Sequence, residues 1–283
     1  MLADAAHLAA SIPAPPFKQF HLGPFLVRMY ALCLLAGIAA AIWLSHRRWT
    51  RRGGDPDLPL EVGLWGAIAG VIGGRIYHDI TSWDQLGPEW WAPFAVWKGG
   101  LGIWGGIAAG VLAGAWVVRR NGASVMRMMD VAAPGIVLAQ GIGRLGNWFN
   151  QELFGGPTSL PWGLEVDPAF RPDGYESAAT FHPTFAYEGL WNVAVCIALI
   201  VIGRRMGDRL RPPGLFCLYV ILYCAGRIVC ELLRVDPSHH ILGQRLNFWV
   251  ALVVLLGGVA ALVWTQRRPG PDPPPVSERT TTA

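Results

Sequence analysis

The stretch "VAAPGIVLAQGIGRLGNWFNQE", residues 131–152, begins as a run of apolar and small residues and ends in a cluster of polar groups. Gly141, Gly143 and Gly146 have the G-x-G-x-x-G spacing of a dinucleotide-binding loop, and Glu165 stands about twenty positions on, where such a loop needs its acid. That reading also needs a strand before the glycines and a helix after them. Here the preceding run has the composition of a membrane span and the following residues read as a loop, so the nucleotide reading fails on context. Gly135, Ala139 and Gly143 instead have the small-residue spacing that lets membrane helices approach closely. Packing does not account for Arg144, Asn147, Asn150, Gln151 and Glu152. An arginine presents a planar fork of donors suited to phosphate, and the amides and carboxylate can orient it or hold a polar headgroup.

The rest of the chain has the same membrane character. Hydrophobic residues make up 53% of the 283 and charged residues 15%, against about 25% charged in an ordinary soluble domain. The 14 tryptophans and 35 glycines fit the aromatic belts and glycine-rich helices of membrane proteins. Seven runs approach the length of about 20 residues that crosses a bilayer: 25–45, 60–79, 101–118, 128–145, 184–203, 214–233 and 246–265. The expected fold is an all-α integral membrane protein with seven transmembrane helices. Residues 1–266 form the membrane domain, with an outward-facing segment at 146–183. A proline-rich tail at 267–283 has nothing to bury and is expected to be disordered. The first twenty residues lack the basic and apolar regions of a cleaved signal peptide. Cys33, Cys196, Cys217, Cys224 and Cys230 all fall inside spans, without metal-ligand spacing, and read as small buried apolar residues. Neither a metal nor another cofactor is expected.

Arginines set the orientation. Arg47, Arg48, Arg51 and Arg52 follow span 1, and Arg119, Arg120 and Arg127 lie between spans 3 and 4. Arg204, Arg205, Arg209 and Arg211 follow span 5, and Arg267 and Arg268 follow span 7. The alternate loops carry Asp84, Glu89, Glu165, Asp167, Asp173 and Glu176. Basic loops stay in the cytoplasm, so the N-terminus is expected outside and the C-terminus inside. The remaining basic residues then gather toward the outer ends of spans: Arg28, Arg75, Arg144, Arg227 and Arg234. Arg28 and Arg234 can also be read as snorkelling to the interface. Charge in a membrane usually faces the protein interior or a water-filled cavity.

Polar groups collect at the same end. In "LYCAGRIVCELLR" (222–234), Tyr223, Arg227 and Glu231 are four residues apart, with Arg234 three further, so they share one helix face. "FHPTFAYEGLWN" (181–192) places His182, Tyr187 and Glu188 at the outer start of span 5, where turn and interfacial roles also suit them. "WKGGLGIWGG" (97–106) and Gly66, Gly70 and Gly74 supply glycines for tight packing, and Tyr30 lies near the outer end of span 1. Together these describe a polar pocket open to the outside, with arginines able to hold an anion at headgroup depth. The inner halves of the spans read as nearly uniformly apolar.

These motifs resemble those of the bacterial prolipoprotein diacylglyceryl transferases. "GRLGNWFNQELFG" (143–155) is similar to that family's signature, and the stripe Tyr223, Arg227, Glu231, Arg234 to its sixth helix. "GGLGIWGG", Gly73-Gly74-Arg75, "HPTFAYE", Gly243-Gln244 and Tyr30 fall in the family's order, over roughly residues 20–265. The resemblance implies transfer of the diacylglyceryl group of phosphatidylglycerol to the lipobox cysteine of a prolipoprotein signal peptide, forming a thioether and releasing glycerol phosphate. This is the first step of bacterial lipoprotein maturation. It implies a multi-pass plasma-membrane enzyme working toward the outer face, with membrane lipids and prolipoproteins as partners and no nucleic acid. Arg144 would bind the phosphate and Arg227 would be the second essential arginine. Tyr30, Asn147 and Glu152 would serve activity, and Glu231 and Arg234 would position the headgroup. Asn150, Tyr223, Arg75 and His182 would complete the substrate site.

Two departures stand out. Phe185 and Ala186 replace a more usual Gln-Leu, and Trp104 replaces a histidine proposed as the base toward the thiol. Tryptophan cannot take a proton. Either nearby arginines favour the thiolate, or His78, His182 or Glu152 accepts the proton. Two other readings are an inactive lipid-binding relative, motivated by Trp104, and a small transporter, which would carry charge on toward the inner face.

Overall fold

The computed structural model describes residues 11–236 and 238–268. Among them are seven long α-helices: α1 (Met29–Thr50), α2 (Leu58–Thr81), α3 (Ile103–Arg120), α4 (Val125–Asn150), α5 (Thr184–Met206), α6 (Gly214–Leu233) and α7 (Leu246–Arg267). Five of these, α1 and α4 to α7, are long and apolar enough to cross a membrane. In the other two, Glu61, Arg75 and Asp79 in α2 and the terminal Arg119 and Arg120 in α3 dilute the apolar character. The tail expected to be disordered lies, from residue 269 on, outside the described residues.

α4 is the hub of the bundle. It touches α1, α3, α5 and α6, and the largest hydrophobic cluster joins its Ala133 and Val137 to Val195 and Leu199 of α5 and Leu215 and Tyr219 of α6. The small residues read from the sequence make these contacts close. A Cβ on Gly135 would lie 2.7 Å from the Ala41 carbonyl oxygen, and one on Gly37 2.9 Å from that of Ala139. The outer surface is the reverse of a soluble protein's: Leu112 and Leu190 are each 71% exposed and Val253 67%. An apolar surface this continuous marks a face built for lipid rather than water. The chain is therefore a multi-pass membrane protein.

α2 and α3 form a glycine zipper. Gly66, Gly70 and Gly73 meet Gly110, Gly106 and Gly105, and the Gly102 N–H donates across the pair to the Gly74 carbonyl at 2.7 Å. At Gly73 and Gly105 an added Cβ would run into the facing backbone carbonyl, which leaves no room for a side chain there. Gly105→Leu is expected to force the helices apart and cost about 3 kcal/mol, the upper range for overpacking. Gly257→Leu, at a position with open space around it, is expected to be silent. Thermal melts of the two proteins in the same detergent check this.

The basic end of the bundle is not uniformly apolar inside, contrary to the sequence expectation. Pro134 lacks the N–H that would bond the Asp130 carbonyl. Arg48 of α1 fills the gap, donating from Nη2 to Asp130 O at 3.3 Å and from Nε to Val131 O at 3.1 Å. The Asp130 carboxylate accepts the Phe216 N–H at 2.9 Å and so caps the start of α6 from a neighbouring helix. All of these groups are spent on backbone, so they hold the bundle together and do not form a route across it. At the same end Arg47, Arg120 and Arg268 stack over Trp43, Trp116 and Trp264 at 5.0, 5.3 and 3.2 Å.

Candidate functional site

The signature stretch is helical almost throughout. The apolar run ends near residue 145, but α4 continues to Asn150 and stops only where Gln151 turns left-handed (φ 52°, ψ 52°). Gly141, Gly143 and Gly146 therefore lie inside a helix and form no nucleotide loop. Gly141 packs against Asn192 and Gly189 of α5, and Gly146 against Tyr30 of α1. The extra turns carry Arg144, Asn147 and Asn150 to the end of the bundle opposite the arginine-rich loops.

The segment after α4 folds back over this end. Gln151 Oε1 accepts the Asp167 N–H at 2.8 Å. Phe154, Leu164, Val166, Phe181 and Phe185 form a small apolar core, with strands β1 (Leu164–Glu165) and β2 (Thr180–Phe181) paired antiparallel. The Gly156 N–H donates to the Leu233 carbonyl at 2.9 Å, which ties the signature loop to the end of α6.

One chain of charged contacts organises the site. Arg144 Nη2 pairs with Glu188 Oε1 at 2.6 Å, and Arg227 Nη1 with Glu188 Oε2 at 3.2 Å. Arg227 also pairs with Glu231 at its other end. Glu231 is 1% exposed and takes Arg234 at 3.1 Å and Arg245 at 2.7 Å as well. Asp236 closes the chain, with Arg234 Nε at 2.7 Å and Arg245 Nη2 at 2.8 Å. On the other side Arg144 Nη1 donates to Asn147 Oδ1 at 3.3 Å. Asn147 and Asn150 both donate to Glu152 Oε1, at 2.9 and 3.0 Å. Tyr30 interacts electrostatically with Arg144 and Glu152, and Tyr223 with Arg144, Arg227 and Glu188.

Four arginines thus meet three carboxylates in direct ion pairs, and Glu152, joined through Asn147, is a fourth that balances the count. Buried charge is tolerated only when paired and hydrogen-bonded, and here each of the three ion-paired carboxylates is shared between two or more guanidinium groups. Burial pushes the Asp236 pKa up, but hydrogen bonds and charge from Arg234 and Arg245 outweigh it and hold the group below its ordinary value. A depressed carboxylate pKa stabilises the fold at neutral pH and loses that contribution as pH falls through the folded-state value. The Asp236 clamp is therefore expected to persist at pH values where free aspartates already protonate. An Asp236→Asn protein should show a weaker loss of melting temperature on acidification than the wild type.

The structure brings together Arg144, Arg227, Tyr30, Asn147, Asn150, Glu152, Tyr223, Glu231 and Arg234. Arg234 does not snorkel, since its side chain is only 5% exposed. Two predicted substrate-site residues make their contacts elsewhere. Arg75 donates to the carbonyls of Ala92, Pro93, Gly99 and Gly100 at 2.7 to 3.2 Å and pairs with Asp79 at 3.0 Å. Its guanidinium shapes the 92–100 loop. Removing it strands several buried carbonyls at about 1–3 kcal/mol each, so Arg75→Ala should make that loop the first site cut in limited proteolysis. His182 lies 3.2 Å from the Tyr187 hydroxyl, which also accepts from Trp162 at 3.0 Å. Its backbone bonds Gly155 and Gly156. Asp236 and Arg245 were not among the residues singled out from the sequence, and Glu188 was read there as an interfacial residue. A carboxylate at 188 with an amide at 192, one turn apart inside an apolar helix, was the available signal for Glu188.

The bundle and its charged end define a membrane protein with a buried, cation-rich polar site at one end. Within that class the chain belongs to the prolipoprotein diacylglyceryl transferase family, whose profile matches residues 18–264. Phosphatidylglycerol–prolipoprotein diacylglyceryl transferase 2 of Streptomyces coelicolor is 48% identical over 269 residues, covering 92% of this chain and 83% of that protein. The enzyme of the same name from Cutibacterium acnes is 50% identical over 264 residues, with 92% and 88% covered. That of Mycobacteroides abscessus is 46% identical over 271 residues, with 90% and 78% covered.

Proposed function

We propose that the protein transfers the diacylglyceryl group of phosphatidylglycerol to the lipobox cysteine of prolipoproteins, the first step of lipoprotein maturation. The observation that carries the reading is the joint hold of Arg144 and Arg227 on one buried carboxylate, with both guanidinium groups still partly exposed. The substrate phosphodiester carries one negative charge. The cysteine sulfur attacks the glycerol carbon that bears the phosphate ester. A carbon–sulfur bond forms, the carbon–oxygen bond breaks, and its electron pair goes to the departing phosphate oxygen. The thiol proton leaves, and glycerol phosphate departs with increased negative charge. Fixed cations at that oxygen lower the barrier because the charge they stabilise grows in the transition state.

Arg144 and Arg227 bind the phosphate in this reading. Tyr30, Asn147 and Asn150 hold Arg144 and Glu152 in place, Tyr223 lines the headgroup side, and Glu231 with Arg234 keeps Arg227 aimed. The same cations favour the thiolate, whose free thiol has a pKa of about 8.5, so no dedicated base is needed where Trp104 stands. Of the three candidate acceptors, Glu152 is joined to the network, and His78 and His182 face other groups. Alanine at His78 or His182 is therefore expected to keep turnover within about threefold of the wild type. A collapse of turnover with lipid binding intact would assign that histidine as the base.

All seven helices cross the bacterial plasma membrane in this proposal, with the N-terminus and the site outside and the C-terminus in the cytoplasm. Support comes from the arginine-rich helix ends, which all lie opposite the site. Substrate selectivity tests the proposal. Purified protein is mixed with a lipobox peptide and vesicles containing either phosphatidylglycerol or phosphatidylethanolamine as the only donor. Transfer is expected from the first alone; equal use of both would remove the headgroup assignment.

A further inference from the structure

Glu188 occupies the position where a phosphate would have to sit. It is 3% exposed; its Oε1 meets Arg144 at 2.6 Å and Arg227 at 3.4 Å, and its Oε2 meets Arg227 at 3.2 Å, so one anion bridges two guanidinium groups as a phosphate would. Both arginine side chains keep some exposure, 18% and 16%, so an anion can reach them from the open side. A phosphate and a carboxylate on the same two guanidinium groups repel each other, and only one can be held well.

One turn further along α5 lies Asn192. It is 0% exposed, and neither its amide nitrogen nor its amide oxygen has a hydrogen-bond partner. Leaving a buried amide unpaired is costly, and native interiors rarely do so without a reason. Helix side chains lean toward the N-terminus, so Asn192 leans toward the turn that carries Glu188. An amide N–H four residues on is a natural donor to a displaced carboxylate.

We propose that Glu188 is an internal stand-in for the substrate phosphate. In the empty site it neutralises Arg144 and Arg227. An arriving phosphate replaces it, and the released carboxylate accepts a hydrogen bond from the Asn192 amide N–H, which satisfies the nitrogen of that group. Once the carbon–oxygen bond has broken, the glycerol phosphate has lost its diacyl anchor to the peptide, and Glu188, tethered beside the arginines, competes for them again and helps expel it. The phosphate chemistry rests on the function proposed above; the exchange of one anion for another is the new step.

The test is binding of glycerol phosphate to the full-length protein in lipid nanodiscs, with melting temperature recorded for each variant. Glu188→Gln removes the competing charge and is expected to tighten glycerol phosphate by about tenfold and to slow turnover through product release. Asn192→Leu removes the orphan amide. It is expected to raise the melting temperature of the ligand-free protein and to weaken glycerol phosphate by about threefold, opposite signs that a purely structural asparagine would not show. In the double variant the Asn192 effect on binding is expected to vanish, because no carboxylate remains to be received. The proposal is overturned if folded E188Q binds glycerol phosphate no better than wild type. Should E188Q fail to fold, unchanged binding in N192L overturns it instead. Arg144→Ala separates the two levels: if that protein binds glycerol phosphate as well as wild type, the phosphate reading itself fails. If its binding is lost while E188Q is unchanged, only the stand-in role fails.

Discussion

Arg144→Ala is expected to lower diacylglyceryl transfer by about 10³-fold, the scale of losing one fixed donor to developing charge. The variant should still fold. Arg144 lies at the rim of the charged chain, and its loss leaves Glu188 paired with Arg227 at 3.2 Å. The melting temperature is therefore expected to move little while kcat collapses. Lysine at this position should recover only a small part of the activity. Arg144 uses one guanidinium nitrogen for Asn147 and another for Glu188, and an ammonium group lacks that fork. A large fall in stability with kcat per folded molecule unchanged would assign Arg144 a structural role instead.

The second large effect is on folding. Glu231→Leu should destabilise the protein by about 3–5 kcal/mol, the usual result of removing one partner from a buried ionic cluster. Glu231 compensates Arg227, Arg234 and Arg245 together. Without it, Arg245 would keep Asp236 but Arg227 would have only Glu188, and the tie between the end of α6 and the start of α7 would weaken. Activity should fall with the fold, so the informative readout is the melt in lipid. A Glu231→Leu protein as stable as wild type, yet inactive, would move Glu231 from positioning the arginines to the chemistry.

The sequence shows the helices well because each is a long apolar run bounded by charge. Their ends are less legible. α4 outruns its apolar stretch because Asn147, Trp148, Phe149 and Asn150 neither break a helix nor continue a hydrophobic run. Arg144 and Arg227 were legible because an arginine in an apolar segment is costly and needs a reason. Glu188 was not, because beside Tyr187 at the start of a span it resembles an interfacial residue. Its burial depends on how α4, α5 and α6 converge, which no local pattern records. Arg245 sits in a hairpin, β3 (His240–Ile241) with β4 (Gln244–Arg245), and only folding brings it to Glu231. Arg75 shows the opposite error. Depth along the membrane is readable from charge placement, but lateral position is not, so an arginine on the α2–α3 pair was grouped with a site on α4 and α6. Asp130 was passed over inside an apolar run and Arg48 was counted only with the basic loop after span 1, although Pro134 marks a carbonyl in need of a donor.

The central claim is that the Arg144 and Arg227 pair holds a phosphatidylglycerol phosphate during transfer to a thiol. The most direct measurement is the mass of a lipobox peptide after incubation with phosphatidylglycerol vesicles and purified protein, wild type beside Arg144→Ala. A diacylglyceryl adduct is expected on the cysteine with wild type and essentially none with the variant. An adduct formed equally by both, or by neither while a relative known to be active forms it in parallel, would contradict that claim.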